Sequence, residues 1–240
     1  MIPPVLQLDE VDSTNAEARR RAEGGETGPL WIMALRQSAG RGRRGRVWDT
    51  GLGNLAATLL DTSDRPPAEA AQVSFIAALA VSDLARRVLS AERVSLKWPN
   101  DLMIDGAKAA GILVESGRRD DGRLWLAVGV GVNLVHAPDL PDRETIAFAA
   151  AGAAALSPLE ALEMLAVAFE AWSLVWRDDG FPAIAKAWTA RAYGLGRPCL
   201  ARLGSEDVEG VAEGLDGDGA LLLRLAGGAV RRISAGDVFF

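Results

Sequence analysis

From Leu124 to Leu134 apolar residues alternate without a break, at Leu124, Leu126, Val128, Val130, Val132 and Leu134, and between them stand Trp125, Ala127, Gly129, Gly131 and Asn133. A period of two held this long predicts a strand inside a sheet. Its second face is nearly bare at Gly129 and Gly131, as expected where a ligand or another backbone lies against a sheet. Asn133 points the same way.

Other segments supply the rest of such a sheet. Residues 30–35 and 54–60 read as strands, 94–98 alternates into Pro99, and 102–104, Asp105-Gly106 and 107–115 read as a hairpin with a tight turn. Three helices are predicted. Thr14 and Glu17 have capping-box spacing, in a helix stopped by Gly24-Gly25. Residues 69–88 place Val73, Ile76, Ala77, Ala80 and Leu84 at helical spacing. Ser157-Pro158-Leu159-Glu160 starts the third, in which Leu162, Leu165, Phe169, Trp172 and Trp176 read as core. From about residue 195 the texture changes to five short apolar runs divided by glycine turns, at 198–203, 208–212, 220–225, 229–233 and 237–240, which predict a small barrel.

Residues 36–48, Arg36-Gln37-Ser38-Ala39-Gly40-Arg41-Gly42-Arg43-Arg44-Gly45-Arg46-Val47-Trp48, hold five arginines and three glycines in a chain of formal net charge −6. Glycines let a ligand approach the backbone, and arginine forks match carboxylate and phosphate oxygens. On residue types alone, a disordered nucleic-acid-binding tail fits the run equally well. Its place between two strands makes it a loop within a folded domain, longer than most connections, and implies a small anionic ligand. Repelling charges and glycines predict that it is mobile until an anion orders it. The acidic balance disfavours a general nucleic-acid binder, which needs a broad basic face. The single Cys199 excludes an internal disulfide and the single His136 argues against a His/Cys zinc site, so a reducing cytoplasm is the expected compartment. The most apolar run, 146–156, falls short of the ~20 residues needed to span a bilayer, and no export signal or membrane anchor is expected.

Taken together, Asp12-Ser13-Thr14-Asn15, the Gly40-Arg41-Gly42-Arg43-Arg44-Gly45-Arg46 run with Trp48, Lys97-Trp98-Pro99-Asn100-Asp101-Leu102, Lys108 with Gly111-Ile112-Leu113-Val114-Glu115, and Gly129-Val130-Gly131-Val132-Asn133 closely resemble the biotin protein ligases. The specific motifs span 9–133; beyond them the match is a helical segment followed by a barrel like the family's SH3-like carboxyl-terminal domain. The resemblance implies an α+β fold, a mixed sheet flanked by helices of the class II synthetase-like kind over 1–193 and the SH3-like barrel over 194–240. It also implies activation of biotin by ATP to biotinyl-5'-AMP, followed by transfer to one lysine of a biotin carboxyl carrier domain. By the same resemblance Ser13, Thr14, Asn15 and Gln37 hold biotin with backbone around Gly40 and Arg41, while Gly111 and Ile112 line its thioether side. Lys108 contacts both the biotin carboxylate and the α-phosphate, and with Arg41 and Arg43 makes up the catalytic set. Arg41, Arg43, Arg46, Trp48, Asn100, Asp101, Lys108 and Asn133 face the nucleotide, with Trp48 over the adenine. Asp101 is the candidate for a carboxylate that faces Mg²⁺ or orients a lysine; an isolated lysine or strand-end aspartate would otherwise be read as solvated or capping.

Two departures from the family stand out. Asp49-Thr50-Gly51-Leu52-Gly53 lacks the Ser-Pro often seen after the tryptophan, and Ala56 replaces a frequent aromatic. Eleven residues precede Asp12, so no amino-terminal DNA-binding domain and no specific DNA partner are expected. Two alternatives stay open: a lipoate or octanoyl ligase or transferase of the same fold, and a non-enzymatic binder of nucleic acid or biotin. Monomer and homodimer are both open as well.

Overall fold

A computed structural model describes residues 2–240; residue 1 lies outside the described residues. The chain enters through β1 (Val5–Val11), α1 (Thr14–Glu23), β2 (Leu30–Gln37) and β3 (Leu55–Ser63). It continues through α2 (Pro67–Ala70), α3 (Val73–Val88), β4 (Val94–Lys97), β5 (Asp101–Ile104), β6 (Ala107–Arg118) and β7 (Leu124–Val132). The seven strands form one sheet in the order β1-β2-β3-β7-β6-β5-β4. Only β1 and β2 run parallel, so the sheet is mixed.

The alternation along β7 decides how this sheet is covered. Leu124, Leu126, Val128, Val130, Val132 and Leu134 all join the main core beneath α3 and α4 (Pro158–Asp179). On the opposite face Trp125 and Ala127 pack with Ala18 and Ala22 of α1, and beyond them the face is given over to Gly129, Gly131 and Asn133. One strand thus runs from buried core to functional wall within ten residues. The β5–β6 turn is the predicted one, with Asp105 at φ 50° and Gly106 at φ 84°, both left-handed as a type I′ turn requires.

Several helical expectations need correction. The helix expected over 69–88 is two helices, because Gln72, Ser74 and Phe75 bond to carbonyls three residues back and tighten the chain between α2 and α3. At α1 the Thr14–Glu17 box does not form. Ser13 is the cap without a side-chain bond, Glu17 pairs with Arg20 and Arg21, and the Thr14 hydroxyl donates instead to Gln37 Oε1 at 3.1 Å. The Ser157–Glu160 box does form. Trp172 and Trp176 are only half-buried, with indole N–H groups donating to Asp83 Oδ2 (2.7 Å) and Gln72 Oε1 (3.2 Å). A short helix absent from the sequence reading, α5 (Phe181–Thr189), buries Phe181, Ile184 and Trp188.

The remaining strands, β8 (Pro198–Arg202), β9 (Asp207–Leu215), β10 (Leu221–Arg224), β11 (Val230–Ile233) and β12 (Asp237–Phe239), make an antiparallel sheet in the order β11-β10-β9-β8-β12, consistent with an SH3-like unit. It shares the main core with the first sheet. The Phe75 ring fills the space at Gly219, and Trp98 donates its indole N–H to the Gly219 carbonyl at 3.1 Å. Residues 67–88 are long and apolar enough to cross a membrane by length and composition, but most of that stretch is buried inside the fold.

Candidate active site

A cavity of about 700 Å³ opens on the glycine face of β7 and β6, within the range that holds a small ligand. Its floor is made of backbone. Gly111 and Gly131 are direct cross-strand partners, and the Trp48 indole lies on the pair; a Cβ at Gly131 would sit 2.4 Å from Trp48 Cε2. A Cβ at Gly129 would lie 2.2 Å from Asn15 Oδ1. The bare face predicted for a ligand or another backbone is therefore occupied by two of the chain's own side chains.

Asn15 has little left for a ligand. Its Nδ2 donates to the Leu113 carbonyl (3.2 Å) and Glu115 Oε2 (2.8 Å), and its Oδ1 accepts from the Thr58 hydroxyl (2.7 Å). Thr58, fully buried, also touches Thr14 Oγ1 at 2.8 Å. Gln37 accepts from the Thr14 amide (2.8 Å) and donates to Thr50 Oγ1 (2.9 Å), so Thr50 holds the Gln37 amide in one orientation. Ser13 and Thr14 reach the cavity wall. Asn133 is buried and lines the cavity; its Nδ2 donates to the Ile146 carbonyl (3.4 Å), while its buried Oδ1 has no hydrogen-bond partner.

Lys108 and Asp101 meet beyond the glycines. The Lys108 ammonium is 2.6 Å from Asp101 Oδ1, off the line of a hydrogen bond and so an ion pair, and 5.6 Å from the Trp48 ring centre. Arg143 Nη1 is 3.6 Å from Asp101 Oδ2, and its bond to Asp142 holds it firmly protonated. Lys97 is a further cation on the wall; burial pushes its ammonium below the ordinary lysine value. Of the two roles open to Asp101, this geometry suits orientation of the lysine. A magnesium ion held by protein does not fit: Asp101 already faces two cations, and among the described residues no three His, Cys, Asp or Glu side chains come together.

The arginine-rich loop is folded as a small hairpin. Trp48 N–H donates to the Gly40 carbonyl (3.0 Å), Gly42 N–H to the Arg46 carbonyl (2.7 Å), and Arg41 bridges Val47. Gly40 is buried behind this hairpin and does not line the cavity. The Arg41 side chain is exposed along the wall. Arg43 donates to Asn100 Oδ1 (3.2 Å) and the Gly236 carbonyl (3.4 Å); burial lowers its pKa, but a guanidinium stays charged. Arg46 and Arg44 reach Asp237 of β12, at 2.8 and 3.3 Å. Asn100 ties this hairpin to β6, since its Nδ2 donates to the Ile112 carbonyl (2.6 Å) and its own carbonyl accepts from Ile112 N–H (3.0 Å). Both backbone groups of Ile112 are thereby engaged, and its side chain points into the core.

Apart from Gly40, every residue given a binding or catalytic role from the sequence lines this one cavity. Sequence reasoning missed Thr50, Thr58, Asn54, Arg143 and Asp237. Asn54 clamps the turn after β7, accepting from the amides of Val135 and His136 and donating to the His136 carbonyl. For Thr58 an inward-facing polar residue on a strand was a readable signal; Arg143 and Asp237 offered none.

Comparison with known proteins covers most of the chain. Residues 9–133 match the Biotin/lipoate A/B protein ligase family, and residues 194–240 the Biotin protein ligase C terminal domain. The chain is 44% identical to the biotin–[acetyl-CoA-carboxylase] ligase of Paracoccus denitrificans, over 97% of this chain and 99% of that protein. It is 30% identical to the bifunctional ligase/repressor BirA of Bacillus subtilis, over 98% of this chain and 73% of the other. The biotin protein ligase of Aquifex aeolicus, solved with biotin and ATP, superposes with a TM-score of 0.80 at 24% identity, covering 98% of this chain and 97% of that one, a likeness of fold.

Proposed function

The chain belongs to the Biotin/lipoate A/B protein ligase family, and from that premise we propose how its own residues activate biotin with ATP and pass the biotinyl group to a lysine of an acetyl-CoA carboxylase carrier domain. The observation that carries this reading is the glycine-floored cavity walled by Lys108, Arg143, Arg43 and Arg46, a cationic seat beside an uncharged slot.

In the first step a biotin carboxylate oxygen attacks the α-phosphorus, the bond from that phosphorus to the bridging oxygen breaks, and pyrophosphate leaves. Two anions must approach, so the work is positioning and neutralisation. Lys108, held by Asp101, is placed to lie between the carboxylate and the α-phosphate. Arg41, Arg43 and Arg46 bracket the phosphates from the hairpin. Ser13, Thr14 and the free Nε2 hydrogen of Gln37 offer polar partners to the ureido ring, while Asn15 acts from behind by fixing the wall. Asn133, buried in the cavity wall, is assigned to the nucleotide side. Magnesium is assigned to the ATP phosphates rather than to a protein site. In the second step the acceptor lysine's amine attacks the acyl carbon and AMP leaves.

We divide the chain at 193/194, because β8–β12 form their own sheet, and assign the enzyme to the cytoplasm, where Cys199 stays reduced. Biotin-dependent exchange of pyrophosphate into ATP tests the reading. Exchange with biotin and none with lipoate is expected; exchange with lipoate alone, or none with either, would defeat it.

A further inference from the structure

Asp237 opens β12, in the second sheet, yet its carboxylate forms part of the cavity wall. Its side chain is 11% exposed, with Oδ2 lying 2.8 Å from Arg46 Nη2 and 3.3 Å from Arg44 Nη1 while Oδ1 lies 4.0 Å from Arg43 Nη1. The neighbouring Gly236 carbonyl accepts from Arg43 as well. Three guanidiniums within four residues of chain repel one another, and the hairpin tip carries a further cost, because Arg44 sits at φ 56°, where side chains other than glycine are disfavoured. A single buried carboxylate offsets both terms. It leaves two positive charges uncompensated at the edge of the site.

We propose that Asp237 is a positioning residue for adenylation: the second sheet contributes one carboxylate that gathers Arg43, Arg44 and Arg46, so that the hairpin meets the nucleotide phosphates with its guanidiniums already arranged. This rests on the ATP-dependent reading above. The geometry distinguishes Asp237 from an ordinary surface ion pair, since the carboxylate is buried, it accepts from Arg44 and Arg46 and pairs with Arg43 at 4.0 Å, and two of these arginines, Arg43 and Arg46, line the cavity with it. An arrangement made in advance lowers the ordering cost of binding and leaves the chemical step to other groups.

The test compares Asp237→Asn, Asp237→Glu and Arg44→Gln in the full chain, using KM for ATP and kcat in pyrophosphate exchange together with the rate of trypsin cleavage within 41–46. Asp237→Asn should raise KM for ATP about tenfold, the weight of one charge-assisted bond, with kcat changed less than about threefold. Tryptic cleavage of the hairpin should accelerate about as much, and Asp237→Glu should recover part of both. Arg44→Gln leaves the second sheet untouched, so it serves if Asp237→Asn fails to fold, and it should raise KM for ATP by about threefold. Unchanged KM and unchanged cleavage in a folded variant overturn the proposal, as does a fall in thermal midpoint and kcat with KM unaltered. If the unsubstituted protein shows no exchange, the assigned activity has failed instead.

Discussion

Asp101 and Asp237 each gather cations on the wall of one cavity, but they are built differently. Asp101 and Lys108 stand seven residues apart on a single hairpin, with side chains 11% and 14% exposed. Asp237 is about 190 residues from its arginines, and although it is equally buried, Arg44 and Arg46 are 38% and 46% exposed. The first pair is largely buried, so its field is little screened; the second has exposed guanidiniums whose attraction fades with salt. Under the proposed mechanism, Lys108 would supply one fixed charge at the breaking bond and the arginines several adaptable ones on the departing pyrophosphate.

Removing the fixed charge should break the comparison most severely. Lys108→Ala is expected to slow pyrophosphate exchange by about 100- to 1000-fold while affecting transfer from supplied biotinyl-adenylate much less, because the phosphate bond is then already made. Equal losses in both assays, or an unchanged exchange rate, would show that Lys108 has no special place in the first step. A methyl group added at Gly131 sharpens the comparison from the sheet side, since it displaces the Trp48 indole and, through it, the hairpin. Gly131→Ala should weaken adenylate binding by about tenfold, the scale of overpacking, with a shifted tryptophan emission. Unaltered affinity would mean that the indole swings away freely.

The smallest effect belongs to a pair outside both clusters. Arg20 holds the Asp12 carboxyl at about 2, below its ordinary 3.8. A lowered folded-state value means stability that is present above pH 3.8 and is lost as pH falls through about 2. The pair is nearly half exposed, so Asp12→Asn should cost only about 0.5 kcal/mol at pH 7 and most of that cost should be gone near pH 2, read from urea midpoints at the two pH values. A cost that persists in full at pH 2 would assign Asp12 a role other than charge.

Local signals carried much of this molecule. The β7 alternation, the Asp105-Gly106 turn and the Ser157 capping box are each written within a few neighbouring residues, whereas Lys108 was picked out only by the family resemblance, since a lysine after a turn reads locally as solvated. What escaped needed distant partners. Thr14 fits a helix cap, but Gln37, 23 residues on, takes its hydroxyl. Asn15 resembles a ligand residue until Glu115, 100 residues on, and Thr58 claim its amide. The break between α2 and α3 has no proline or glycine to announce it. Asp237 lies on a short strand like its neighbours, and only the fold brings it to the arginines.

The seating of Phe75 and Trp98 on Gly219 bears on exchange of parts between relatives. Phe75 lies in the first turn of α3, which carries the main core, Trp98 directly follows β4 two residues before Asn100, and both rest on one turn of the second sheet where Gly219 takes φ 91°. A chimera that kept these two aromatics but imported a second sheet with any side chain at that turn would meet the Phe75 ring at about 2.6 Å. The unit that can be transplanted is therefore the second sheet together with the residues that seat it, and a breakpoint drawn in the connecting segment alone would leave the two halves mismatched.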